Sequence, residues 1–146
     1  MEILINKQAN QIRSKFILHF INQNTKIFQQ IKNPILCSDG YCYIPYLWDT
    51  LKKCRICDEE KIEHVLEIKN QFYIMWDIHS RDFIWIDNYW KYPKEAILKV
   101  TFNDYINIRN SLPEDIYFFD DSFAWGYSLT HETLNKQKRY CVEFSC

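Results

Sequence analysis

The sequence predicts an α+β fold: a mainly antiparallel, meandering sheet of about five strands packed against N-terminal helices, in a single domain over residues 1–146. Three observations point there. Apolar residues recur at three- and four-residue spacing near the start. Aromatic and β-branched runs dominate from residue 71 onward. The links between those runs are short enough for hairpins. A chain of 146 residues with 47% hydrophobic and 17% aromatic residues is long enough to bury a sizeable core and has the material for one.

Ile12, Phe16, Phe20, Ile27, Phe28 and Ile31 mark an amphipathic helix over residues 8–32, which stops because Pro34 disfavours helix at Asn33. Ser38-Asp39-Gly40 reads as a turn, and Pro45 as the start of a short helix carrying Leu47, Trp48 and Leu51. Asp58 is an N-cap. Glu59 and Glu60 then suit the positive end of the helix dipole, and Ile62, Val65, Leu66 and Lys69 complete a short helix. In "FYIMWDI" the side chains of Phe72, Ile74, Trp76 and Ile78 share one face. His79-Ser80-Arg81 would join that strand to "DFIWIDNYW" as a hairpin. Residues 103–110 read as a helix ended by Pro113. A second hairpin follows: "DIYFF", a turn at Asp120-Asp121-Ser122, then "FAWGYSLTH". The last strand is "RYCVEFS". The helices are expected on one face of the sheet.

Two glycines, Gly40 and Gly126, are the whole complement. Phosphate-cradling loops need closely spaced glycines so that the backbone can approach the anion, so dinucleotide enzymes, P-loop enzymes and GxSxG hydrolases are excluded. The start lacks a basic segment followed by an apolar stretch, and no apolar run reaches membrane-spanning length. The expectation is a cytoplasmic protein with no membrane association.

The net charge of −1 hides an asymmetry. Residues 1–56 carry eight Lys/Arg against three Asp/Glu, a net of +5; residues 57–135 carry seven against fifteen, a net of −8. Residues 110–135 hold Glu114, Asp115, Asp120, Asp121 and Glu132 with no basic residue. Such a segment repels phosphates, which argues against nucleic acid as a partner, and it steers basic proteins.

Cys37, Cys42, Cys54 and Cys57 fall as C-x4-C-x11-C-x2-C, a spacing that could hold a structural zinc, although no glycine supports a knuckle turn. Asp77 and His79 share a strand face, and with His131 they could run acid–base cleavage as a small hydrolase or nuclease. A histidine at the end of an aromatic strand is more often a packed residue. In "FAWGYSLT" large residues at Phe123, Trp125, Tyr127 and Leu129 alternate with small ones, so Gly126 is either a bulge or the point where another backbone or a helix approaches closely. Tyr89, Trp90 and Tyr92 crowd one strand end beside acids, the residue types that anchor protein interfaces.

"LPEDIYFFDDSFAWGYSLTHE", residues 112–132, resembles a C-terminal stretch of bacterial immunity proteins encoded beside polymorphic or contact-dependent growth-inhibition toxins. The resemblance implies a cytoplasmic protein that binds a cognate toxin's catalytic domain, frequently a basic nuclease, and occludes it. It carries over no catalytic residue. The leading expectation is therefore a non-enzymatic binding protein without cofactor or metal. Asp120, Asp121, Glu114 and Asp115 would supply charge complementarity, and Tyr89, Trp90 and Tyr92 the aromatic anchors.

Overall fold

The computed structural model describes residues 1–33, 40, 44–77, 83–84, 92–135 and 137–146. Its centre is a seven-stranded antiparallel sheet with helices on both faces. The strands, in chain order, are β1 (Glu2–Leu4), β2 (Lys53–Cys57), β3 (Gln71–Trp76), β6 (Ile97–Thr101), β7 (Ile116–Phe119), β8 (Trp125–Asn135) and β9 (Lys138–Ser145). Their order across the sheet is β1-β6-β3-β7-β8-β9-β2. Two further short strands, β4 (Phe83–Ile84) and β5 (Tyr92–Pro93), pair only with each other. No helix among the described residues is long and apolar enough to cross a membrane.

The expected long N-terminal helix is two helices, α1 (Asn6–Phe20) and α2 (Lys26–Lys32). Ile21 turns extended and bridges Leu51, and the Asn22 N–H donates to the Thr50 carbonyl at 2.7 Å. Thr25 then restarts the helix, its hydroxyl accepting from the Phe28 N–H at 3.1 Å. The break lets Phe16, Phe20 and Phe28 reach one apolar layer.

Helices α3 (Glu59–Lys69) and α4 (Phe102–Ile108) cover the opposite face, burying Ile62, Leu66, Tyr105 and Ile108. The expectation of helices on one face is thus corrected. An antiparallel sheet buried on both sides needs apolar residues at consecutive strand positions rather than alternate ones. Strand β3 meets that need: Phe72, Ile74 and Trp76 enter the α3/α4 layer, Tyr73 and Met75 the α1/α2 layer.

Among the described residues the first expected hairpin is not formed. Strand β3 lies between β6 and β7, and the described part of "DFIWIDNYW" pairs with β5 instead. Residues 78–82, the expected connection, lie outside the described residues. Before the helix expected at residues 103–110 lies a strand, β6, which runs straight into α4. A capping box makes the switch: Thr101 Oγ accepts from the Asp104 N–H at 3.2 Å, and Asp104 accepts from the Thr101 N–H at 2.9 Å.

The second expected hairpin, β7 to β8, is present. Gly126 pairs with Phe144 of β9, and a Cβ there would sit 2.1 Å from the Phe144 ring. The close approach expected at Gly126 is therefore made by a ring, held by Phe20 at 4.8 Å and Phe16 at 5.7 Å between centroids.

Candidate functional site

Chemistry-bearing side chains converge where β7 begins. Register places Ile116 opposite Leu129, which brings Asp115, just before β7, beside His131 on β8. Asp115 accepts from the His131 backbone N–H at 3.0 Å, and its two carboxylate oxygens lie 3.0 and 3.1 Å from His131 Nδ1. The hydrogen bond from Asp115 raises the His131 pKa above its ordinary value. Desolvation opposes that, and the charges of Asp115, Glu132 and Glu114 reinforce it. Asp115 is nearly buried, and its backbone carbonyl accepts from the Asp77 N–H at 3.0 Å.

A 3₁₀ turn, Leu47–Thr50, packs against this corner. Asp77 is fully buried, and its carboxylate accepts from the Leu47 N–H at 2.9 Å and from the Tyr117 hydroxyl. The same Tyr117 hydroxyl accepts from the Trp48 N–H at 2.8 Å. These bonds clamp the turn to the sheet and aim the residue before it. The Tyr46 ring lies 5.0 Å from His131 and stacks on Trp48 at 5.3 Å, while Trp48 meets Tyr140 edge-on at 5.6 Å. Burial, then the charges of Asp115, Asp77, Glu132 and Asp49, holds the Tyr46 hydroxyl above its ordinary pKa. Four carboxylates thus act on one phenol. Arg139 is a cation beside the corner; it donates to the backbone carbonyls of Thr130, at 2.6 Å, and Glu114, and lies 3.8 Å from Glu59.

The expected partner surface divides. Glu114 and Asp115 precede β7 while Asp120 and Asp121 follow it, roughly 17 Å away at about 3.4 Å per residue. Asp120 is folded inward: it accepts from the Ser122 N–H at 2.9 Å and Trp125 Nε1 at 2.6 Å, and Lys69 stands 3.9 Å away. Asp121 accepts from the Tyr73 hydroxyl and lies 3.4 Å from Lys99. A turn that looks purely acidic along the chain is thus matched by lysines from α3 and β6. Tyr92, expected as an exposed anchor, is fully buried in the α3/α4 layer, so its ring packs the core instead. Tyr89 and Trp90 lie outside the described residues.

The expected orienter of His131 also changes. Asp77 turns its carboxylate to Leu47 and Tyr117, and Asp115 takes the histidine; His79 lies outside the described residues. Cys54 and Cys57 sit three apart on β2, so they point to opposite faces, Cys54 exposed and Cys57 directly opposite buried Cys141. That geometry does not gather the pair around one metal, and Cys37 and Cys42 lie outside the described residues. Sequence alone does not mark Tyr46, Asp49 or Tyr140 as candidates, and it places Trp48 only on the short helix after Pro45. Their one local signal is the "YLWDT" cluster after Pro45.

No family model matches the chain, and neither a curated protein nor a solved structure matches it.

Proposed function

We propose that this chain is a non-enzymatic binding protein of the immunity type, which neutralises a toxin's catalytic domain by covering it. The observation that carries the reading is the ring cluster at Tyr46, which stacks on Trp48 at 5.3 Å and lies 5.0 Å from His131, beside the Asp115 carboxylate and the chain neighbours Glu114 and Glu132. Aromatic side chains in a charged rim supply contact area with little entropy loss, and the field steers a basic partner such as a nuclease domain. The interface centres on Glu114, Glu132, His131 and Tyr46 rather than on the Asp120-Asp121 turn, whose charges Lys69 and Lys99 offset.

The test is co-expression in a bacterial host with the C-terminal fragment of the protein encoded immediately upstream. The expected result is a fragment toxic alone and harmless beside this chain, with rescue weakened by Glu114→Lys plus Glu132→Lys. A toxic fragment that this chain cannot relieve overturns the reading.

One observation favours a second reading, a small hydrolase or nuclease. Asp115 holds Nδ1 of His131 and leaves Nε2 for a substrate proton, the arrangement of a general base. It predicts turnover of RNA, DNA or ester substrates that His131→Ala abolishes while the fold survives. A folded wild type inert towards all three ends it.

A further inference from the structure

At the far edge of the sheet, β2 is a strand without a core of its own. Four of its five residues are exposed, and only Cys57 at its end packs against the α3/α4 layer. Ile56 is 57% exposed. Its ordering comes from pairing with β9 and from Arg55, whose Nε lies 2.8 Å from Glu143. Among the described residues nothing pairs with its outer edge. An open edge of this kind is a template for another strand.

Charge selects the occupant. Lys61 Nζ lies 2.6 Å from the same Glu143 oxygen that Arg55 uses, so two cations share one carboxylate. Lys53 makes no ion pair among the described residues. Lys53 and Arg55 project from one face of β2 into an open cleft of about 510 Å³, which Trp125, Glu143 and Ser145 also line. The edge and its cleft are therefore net positive. A second copy is disfavoured: an antiparallel pairing that uses all five residues sets Arg55 opposite the Arg55 of its copy, and like charges directly opposite destabilise a ladder.

We propose that β2 accepts an extended acidic segment of a partner protein as an added antiparallel strand. The partner's alternate Asp or Glu side chains would lie in the cleft beside Lys53 and Arg55, and an apolar residue on its other face would cover Ile56. The strand edge takes its occupant whether or not the Tyr46 corner binds a partner.

The test uses the full chain and a fluorescent eight-residue peptide alternating Glu and Val, read by anisotropy. Three controls accompany it: a Lys/Val peptide, a copy of the Glu/Val peptide N-methylated at alternate residues, and the Lys53→Glu variant, which leaves the Arg55 to Glu143 contact intact. The expected result is binding of the Glu/Val peptide alone, weakened about tenfold by Lys53→Glu, with new amide-exchange protection at residues 53–57. The proposal is overturned by any of three outcomes. The acidic peptide does not bind. The N-methylated copy binds equally well, which makes the contact charge without strand pairing. Or the chain self-associates through β2, shown by a dimer whose residues 53–57 are protected from amide exchange without any peptide.

Discussion

His131 is bound twice by Asp115: the carboxylate accepts the backbone N–H at 3.0 Å and faces the ring Nδ1 at 3.0 Å. One carboxylate therefore fixes both the strand and the imidazole. Because Asp115 also offers its carbonyl to the Asp77 N–H, the histidine is tied to the buried Asp77 and Tyr117 pair and, through it, to the 3₁₀ turn that carries Tyr46.

The first consequence is a pH dependence. The folded-state pKa of His131 is raised above 6.5, chiefly by the Asp115 hydrogen bond. Its contribution to stability is thus fully present below 6.5 and is lost as pH rises through the folded value. The melting-temperature gap between wild type and His131→Gln should be widest near about pH 5.5 and close on the alkaline side. A gap that widens with pH reverses the sign and contradicts the pairing.

Glu143 titrates in the opposite sense. Hydrogen bonding to Arg55, against desolvation and with help from Lys61, holds it at about 2, below its ordinary 4.5. The stabilisation is present above 4.5 and is lost as pH falls through about 2. Glu143→Gln should lower the melting temperature at neutral pH and converge with wild type in strong acid. Amide exchange on β2 should report the loss locally.

Tyr117→Phe removes a buried hydroxyl with two duties. The Trp48 N–H loses its acceptor and the Asp77 carboxylate loses a donor. A buried polar group stripped of its partner costs about 1–3 kcal/mol, so denaturant unfolding should show a loss in that range or somewhat above it. A loss under about 0.5 kcal/mol would mean that the network does not anchor the turn.

Gly126→Ala should destabilise by about 1–3 kcal/mol through overpacking. The added methyl would fall 2.1 Å from Phe144 Cε2, and that ring is boxed in by Phe16, Phe20 and Tyr117. Pairing it with Phe144→Leu should recover part of the loss. A neutral single substitution would place the ring elsewhere.

The parts of the fold legible in the sequence are those whose side chains announce themselves. The β7 to β8 hairpin is marked by large-small alternation and Asp-Asp-Ser at the turn, and α3 by Asp58 followed by two acids. Strands β1 and β2 escape the sequence because "EIL" is short and "KCRIC" has almost no buried side chain; their partners' edges create them. Strand β6 is masked by the capping box that starts α4 on its last residue. The site is legible only in part. His131 is visible as a candidate, but the choice of Asp115 over Asp77 depends on the register of β7 against β8, and Tyr46 arrives from 85 positions before His131 with no local signal that the two meet.

The most direct test of the central claim is the rate at which this chain associates with the upstream-encoded fragment, measured across ionic strength by stopped-flow fluorescence. Glu114→Lys plus Glu132→Lys should slow association about tenfold at low salt and flatten its salt dependence, while Asp121→Asn leaves both unchanged. A double variant that associates like wild type, or an Asp121→Asn that carries the whole effect, would contradict the Tyr46 corner as the binding surface.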